Sequence, residues 1–149
     1  MALCQTPITS FVLLQVDPLA LLVPENLLNI KHIEEILPLL DSVCEHWPGV
    51  AIFLFGSRAC GKQKEYSDWD LGISSGSSSL DTKTFFSIQN LIDEKSENLP
   101  RSVDVVNLDQ APIWFLQNIQ QSFVFLKGNV SAQQFFLGVM NGIKKSEQV

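Results

Sequence analysis

The stretch VAIFLFGSRACGKQKEYSDWDLGI, residues 50–73, constrains this chain more than any other. Its first six residues are a continuous apolar run rich in β-formers, the pattern of a strand covered on both faces. The run stops at Gly56-Ser57, crosses a polar loop and resumes in a second strand through DWDLGIS, residues 68–74. Side chains alternate along a strand, so Asp68 and Asp70 are expected on one face, about 7 Å apart at their Cα atoms, with Trp69 and Leu71 on the other. Two carboxylates that close repel, and a divalent cation relieves the repulsion. With oxygen donors only, and no His or Cys beside them in the sequence, Mg2+ or Mn2+ is favoured over zinc. Gly56 lets backbone N–H groups converge on an anion and the Ser57 hydroxyl adds a donor, which together have the chemistry of a phosphate cradle.

Around this stretch the periodicity predicts an α/β layer. Apolar residues at helical spacing run from Pro24 to Trp47, with Pro24-Glu25 suited to the start, Pro48-Gly49 to the stop, and Pro38 expected to kink or split the helix. SSGSSSL, residues 74–80, reads as a flexible loop. A helix capped by Asp81 follows, then a Val-rich strand SVDVVNL that carries Asp104. Next come a helix over APIWFLQNIQQ, a short strand FVFLKG and a final helix capped by Ser131 and running to about Lys145. The expected fold is α/β (α+β), a small mixed sheet backed by helices. Asp104 lies among valines, where an acid needs a partner. Either it joins Asp68 and Asp70 as a third metal-binding carboxylate or it pairs with Arg101 or a lysine.

At 149 residues the chain has the length of one domain. We divide it into an N-terminal arm, residues 1–23, and a domain, residues 24–149. The net charge of −6 argues against an extended nucleic-acid surface. Cys4, Cys44 and Cys60 are odd in number and lack metal-like spacing, so neither a disulfide framework nor a zinc knuckle is expected, and a reducing cytoplasm fits. FVLLQVDPLALLV near the N-terminus lacks a preceding Lys or Arg and is interrupted by Asp17-Pro18, which argues against a signal peptide, and it is too short and broken to span a bilayer.

GSRACGKQKEYSDWD, with Gly-Ser, ten intervening residues and Asp-x-Asp, resembles the signature of the minimal nucleotidyltransferase (MNT) family, antitoxin type, within the polymerase-β-like superfamily. Gly61 and Ser67 also match the common form of that motif, and Asp104 stands where the family's third carboxylate is expected. The resemblance covers roughly Glu45 to Asn129 and implies the polymerase-β-like nucleotidyltransferase fold. It implies that Asp68 and Asp70 bind two Mg2+ ions, that Asp104 shares one of them and helps activate an acceptor hydroxyl, and that Gly56 and Ser57 hold the β- and γ-phosphates of ATP. The reaction so implied moves AMP to a hydroxyl and releases pyrophosphate. The chain has few residues beyond the core for an acceptor-holding domain, so the acceptor is expected from outside. In the family it is often a tyrosine of a helical HEPN-type toxin, with the transferase as antitoxin in a homo- or hetero-oligomer. The alternatives are a two-component, aminoglycoside-like enzyme acting on a small molecule, and a non-catalytic antitoxin that works by contact alone.

Arg58 is a candidate nucleotide contact, and Lys62 and Lys64 are loop cations within possible reach of phosphates. Ser67 reads as a turn residue and Cys60 as a passive thiol. His32 and His46 read as structural or surface residues. Phe53, Phe55, Trp69, Phe85 and Phe86 are expected in the core. The apolar FFLGVM of the last helix is a candidate partner surface.

Overall fold

A computed structural model of the chain describes residues 11–13 and 22–147. A short antiparallel pair, β1 (Phe11–Leu13) and β2 (Leu22–Pro24), is its first element. Most of the expected N-terminal arm, including Cys4, lies outside the described residues, but Val23 is fully buried in the main core.

The helical pattern after Pro24 does not fold as one helix. It breaks into two 3-10 turns, Glu25–Leu27 and Ile33–Glu35, before α1 (Leu37–His46) begins. His32, between the turns, has a left-handed backbone at φ 67°, which no continuous helix accommodates. Pro38 neither kinks nor splits α1: it lies in the first turn, where a missing N–H forfeits no intrahelical hydrogen bond.

The central sheet holds β3 (Ala51–Phe55), β4 (Trp69–Ser74), β5 (Val103–Asn107) and β6 (Val124–Gly128), in the order β5-β4-β3-β6. β3 is antiparallel to both β4 and β6, while β4 and β5 are parallel, so the sheet is mixed as expected. A parallel pair needs a crossover, which α2 (Thr82–Lys95) supplies. The Asp81 carboxylate caps α2, accepting from the Thr84 N–H at 2.6 Å.

Every residue of β3 is buried because both faces of the sheet are covered. Ile52 and Leu54 face one core with α1 and α2. Ala51, Phe53 and Phe55 face the other, under α3 (Ile113–Ile119) and α4 (Val130–Glu147). α4 is capped by Asn129 rather than Ser131: the Asn129 side-chain oxygen accepts from the Ala132 N–H at 2.9 Å, and the helix starts one residue early. Phe86, expected in the core, is exposed on α2, whose buried stripe is Ile88 and Ile92. Cys44 and Cys60 are both free thiols. Among the described residues no helix is long and apolar enough to cross a membrane.

The serine-rich stretch after β4 is a tied turn, not a flexible loop. Ser74 ends β4, and Gly76–Ser78 form a 3-10 turn. The Asp109 carboxylate accepts from the Ser74 hydroxyl at 2.6 Å, the Ser75 N–H at 2.8 Å and the Leu80 N–H at 2.8 Å. Backbone donors that would otherwise face water are thereby fixed to the end of β5.

Candidate functional site

The parallel register places Asp70 and Asp104 as direct Cα partners on β4 and β5. Paired residues on adjacent strands point the same way, so the two carboxylates share a face. It is the face of Phe55, which is the antiparallel partner of Asp70 on β3, and hence the side covered lower down by α3 and α4. Asp68 lies one residue before β4 rather than inside it, exposed to solvent. Its charge still reaches Asp70. Burial first, then the negative charges of Asp104 and Asp68, push the Asp70 carboxyl above the usual carboxylate range. None of the three acid side chains has a cationic partner among the described residues, and Arg101 pairs with Glu35 and Glu65 instead.

Three elements thus bring three acids to one end of the sheet. Among the described residues, no three Asp, Glu, His or Cys side chains are gathered closely enough to form a ready cation group. The donor chemistry nevertheless fits a hard divalent cation: oxygen ligands only, and a like-charge repulsion at Asp70 that a cation would relieve.

Gly56, where β3 ends, has a left-handed φ of 77°. A Cβ built there would overlap the Asp70 Oδ2, so glycine is required twice, by its backbone and by its neighbour. The chain then turns: the Ala59 N–H donates to the Gly56 carbonyl at 3.1 Å and the Lys62 N–H to the Ser57 carbonyl at 2.9 Å. The Ser57 side chain sits half-buried at this turn, beside the acid pair. Lys62 and Lys64 are exposed and make no ion pair among the described residues.

Arg58, the expected nucleotide contact, turns its side chain inward. It is only 3% exposed, with Nε donating to the Ser67 carbonyl at 3.0 Å and Nη1 to the Lys31 carbonyl at 3.2 Å. Its guanidinium lies 4.5 Å above the Trp69 ring. Trp69 points away from Asp70 by strand alternation, so Arg58 braces the loop from the far face of the sheet. Burial and the nearby Arg101 charge weaken its hold on its proton, against the opposing pull of Glu35, Glu65 and Asp68.

The same far face carries a network that sequence reading missed. The Trp69 indole N–H donates to Glu35 Oε2 at 3.2 Å, and buried Arg101 pairs with Glu35 Oε1. Arg101 also donates to the Glu65 carbonyl at 2.7 Å and to Glu65 Oε1 at 3.2 Å. Lys31 meets Glu65 Oε2 at 3.3 Å, and His32 lies 3.9 Å from Glu35 Oε1. Both ends of the Gly56–Ser67 loop are therefore clamped to the segment before α1 and the start of β5. Apart from the local His32–Glu35 pair, the partners are 34 to 66 residues apart, so no local pattern announces them. The cleft of about 410 Å3 between the α1–β3 connection and the serine turn lies at the other end of the sheet, away from the acids.

Comparison with known proteins bears on this site. No curated protein sequence matches the chain. Among solved structures, one of a toxin–antitoxin with AMP-PNP aligns with a TM-score of 0.54 and 22% identity, covering 73% of this chain and 86% of that one. A tri-AMPylated HEPN toxin from Shewanella oneidensis in complex with an MNT antitoxin gives 0.53 and 19%, covering 76% and 87%. The MntA-HepT toxin–antitoxin gives 0.53 and 18%, with the same coverage of 76% and 87%. At these identities the likeness is one of fold. The family described as polymerase beta nucleotidyltransferase matches residues 40–129, which contain all four strands of the central sheet, the Gly-Ser turn and the three acids. By that match, over more than half its length, this chain belongs to the polymerase beta nucleotidyltransferase family.

Proposed function

We propose that this chain transfers AMP from ATP to a hydroxyl of a partner protein, with a tyrosine of a HEPN-type toxin as the acceptor, and acts as the antitoxin of that pair. The observation that carries this reading is the register pairing of Asp70 with Asp104 beside the Gly56 turn. A binding surface has no need to set two unpaired carboxylates against one another next to a strained glycine. Two structures of similar fold support the choice of nucleotide and acceptor, one holding AMP-PNP and one an AMPylated HEPN toxin.

In this reading Gly56 and Ser57 hold the β- and γ-phosphates through backbone N–H groups and the serine hydroxyl, leaving the α-phosphorus open to in-line attack. Asp68, Asp70 and Asp104 would hold magnesium, which when bound neutralises triphosphate charge and polarises the acceptor hydroxyl. Asp104, the more exposed of the register pair, takes the acceptor's proton as its oxygen bonds to the α-phosphorus, and pyrophosphate leaves. Arg58 positions the loop from behind through the Ser67 and Lys31 carbonyls.

The test is intact mass of the co-purified partner after incubation with Mg2+ and each nucleoside triphosphate in turn. A gain of one or more AMP units with ATP, lost in Asp104→Asn and in Asp70→Asn, supports transfer. A partner that stays silenced without ATP, with unchanged mass, through Asp68→Ala, Asp70→Ala and Asp104→Ala alike, would establish inhibition by contact alone.

A further inference from the structure

From Ile113 to Ile143 the chain carries one charged residue, Lys127, and its ammonium pairs with Asp41 of α1 on the opposite side of the sheet. The outer face of α3 and of α4 as far as Ile143 is thus uncharged in a chain of net charge −6. It is also apolar: Trp114 is 62% and Phe135 48% exposed. A groove of about 230 Å3 runs between the two helices, lined by Ile113, Gln117, Val139, Gly142 and Ile143. Another, of about 200 Å3, continues from Val139 past Phe135 to the serine turn, where Asp109, held by its own hydrogen bonds, lines the far end. Absence of charge combined with exposed aromatic residues distinguishes the centre of an interface from ordinary surface.

Gly138 and Gly142, one turn apart on α4, indicate what shape fits there. Both are exposed in helical backbone, and a Cβ on either would meet nothing within 4 Å. Neither this chain's backbone nor its own packing requires glycine at these positions, and alanine would favour the helix. A one-turn pair of bare glycines does admit the close approach of a second helix, as small residues do wherever helices pack backbone to backbone.

A line of aromatic rings leads from the face to the strand beside the acids. Trp114 meets the Phe115 ring at 6.1 Å, and Phe115 packs edge-on against Phe55 at 5.4 Å. Phe55 is the register partner of Asp70.

We propose that the α3–α4 face docks an uncharged, apolar helix of the protein that presents the acceptor hydroxyl to Asp70 and Asp104; this rests on the reading that the acceptor belongs to a protein. Charge matching selects the occupant, because a charged helix face would lose its hydration here and, among the described side chains of α3 and α4, find no counter-charge. A second copy of this chain would cover the face without supplying an acceptor.

The experiment places a photo-cross-linking phenylalanine analogue at Gln117 in the full chain, in its native cells, with a control at Lys83 on α2. The expected product is a different protein, joined through a helical residue at Gln117 only, that gains AMP from the wild-type chain with Mg2+ and ATP. Gly138→Arg, which has open space for its side chain, should lower affinity for that protein at least tenfold and slow AMP transfer, with helical content and Mg2+-dependent ATP binding unchanged. Cross-linking only to a second copy, to residues 1–21 of the same chain, from Lys83 rather than Gln117, or not at all, overturns the proposal. Transfer untouched by Gly138→Arg removes the surface and leaves the transferase reading intact. A helical partner that Gly138→Arg releases but that never gains AMP upholds the surface and overturns the transferase reading.

Discussion

Gly56 has no room for a side chain because the carboxylate of Asp70 occupies the place where its Cβ would stand. Gly61, four residues from the end of the Gly-Ser turn, shares the left-handed backbone at φ 76° but faces open space. Gly61→Ala should therefore show backbone strain alone, about 1 kcal/mol, whereas Gly56→Ala should cost about 3 kcal/mol in chemical unfolding, since Asp70 must also move. Combining Gly56→Ala with Asp70→Ala should recover much of the difference, and strict additivity would show that the two residues are not in contact.

Asp70 sets a pH dependence of unusual sign for a carboxylate. Its folded-state pKa is raised, so the native state holds a proton that the unfolded chain releases. The associated stability is full below the usual aspartate range and is lost as pH climbs through the raised value. Asp70→Asn should stabilise the metal-free protein near neutral pH by about 1 kcal/mol, a figure moderated by partial exposure. Differencing thermal melts of wild type and mutant from pH 3 to 8 isolates this group from Glu65 and Asp81, whose pKa values are lowered. An identical pH profile in both proteins would contradict it.

Magnesium should act on the same group with the opposite effect. If the acids hold the cation, millimolar Mg2+ raises the melting temperature of the wild-type protein by a few degrees, by mass action on the native state alone. EDTA reverses this. In Asp70→Asn combined with Asp104→Asn the shift should vanish, together with Mg2+-dependent ATP heat in calorimetry, and its persistence there would place the cation elsewhere.

Glu35→Ala leaves the buried Arg101 guanidinium without its closest carboxylate and frees the Trp69 indole N–H. Removing one partner of such a pair should cost about 3 kcal/mol. It should also loosen the Gly56–Ser67 loop, measured as faster amide exchange at Ala59 and Lys62.

Asp109→Ala strips four donors of their acceptor at once. A loss of roughly 2–4 kcal/mol is expected in urea unfolding, with the slope unchanged. Exchange at Ser75 and Leu80 should then rise toward that of an open loop.

The four strands of the central sheet and the turn at Gly56 were legible in sequence because each rests on local pattern: an apolar run, a period of two, a glycine where the backbone must reverse. What was not legible depends on distant partners. The serines at the end of β4 read as flexible because their acceptor, Asp109, lies 34 to 35 residues away. Arg58 read as a phosphate ligand because the charged loop hides that its side chain folds inward onto Trp69. The helical period after Pro24 holds across two separate turns because the buried residues are the same, while the left-handed His32 that divides them leaves no mark on periodicity. Asn129 and Ser131 are both competent caps, and only the position of β6 decides between them.

The parallel pairing of β4 with β5 also orders events in folding. The β3–β4 pair can zip from its connecting loop, and α2 can form by itself. β5 reaches its place only when the crossover closes. Asp70 and Asp104 meet only when that crossover closes, so their repulsion opposes the docking of β5 rather than formation of the β3–β4 hairpin. Protons, or a divalent ion held by the acids, should therefore speed the docking of β5 and leave formation of the β3–β4 hairpin unchanged.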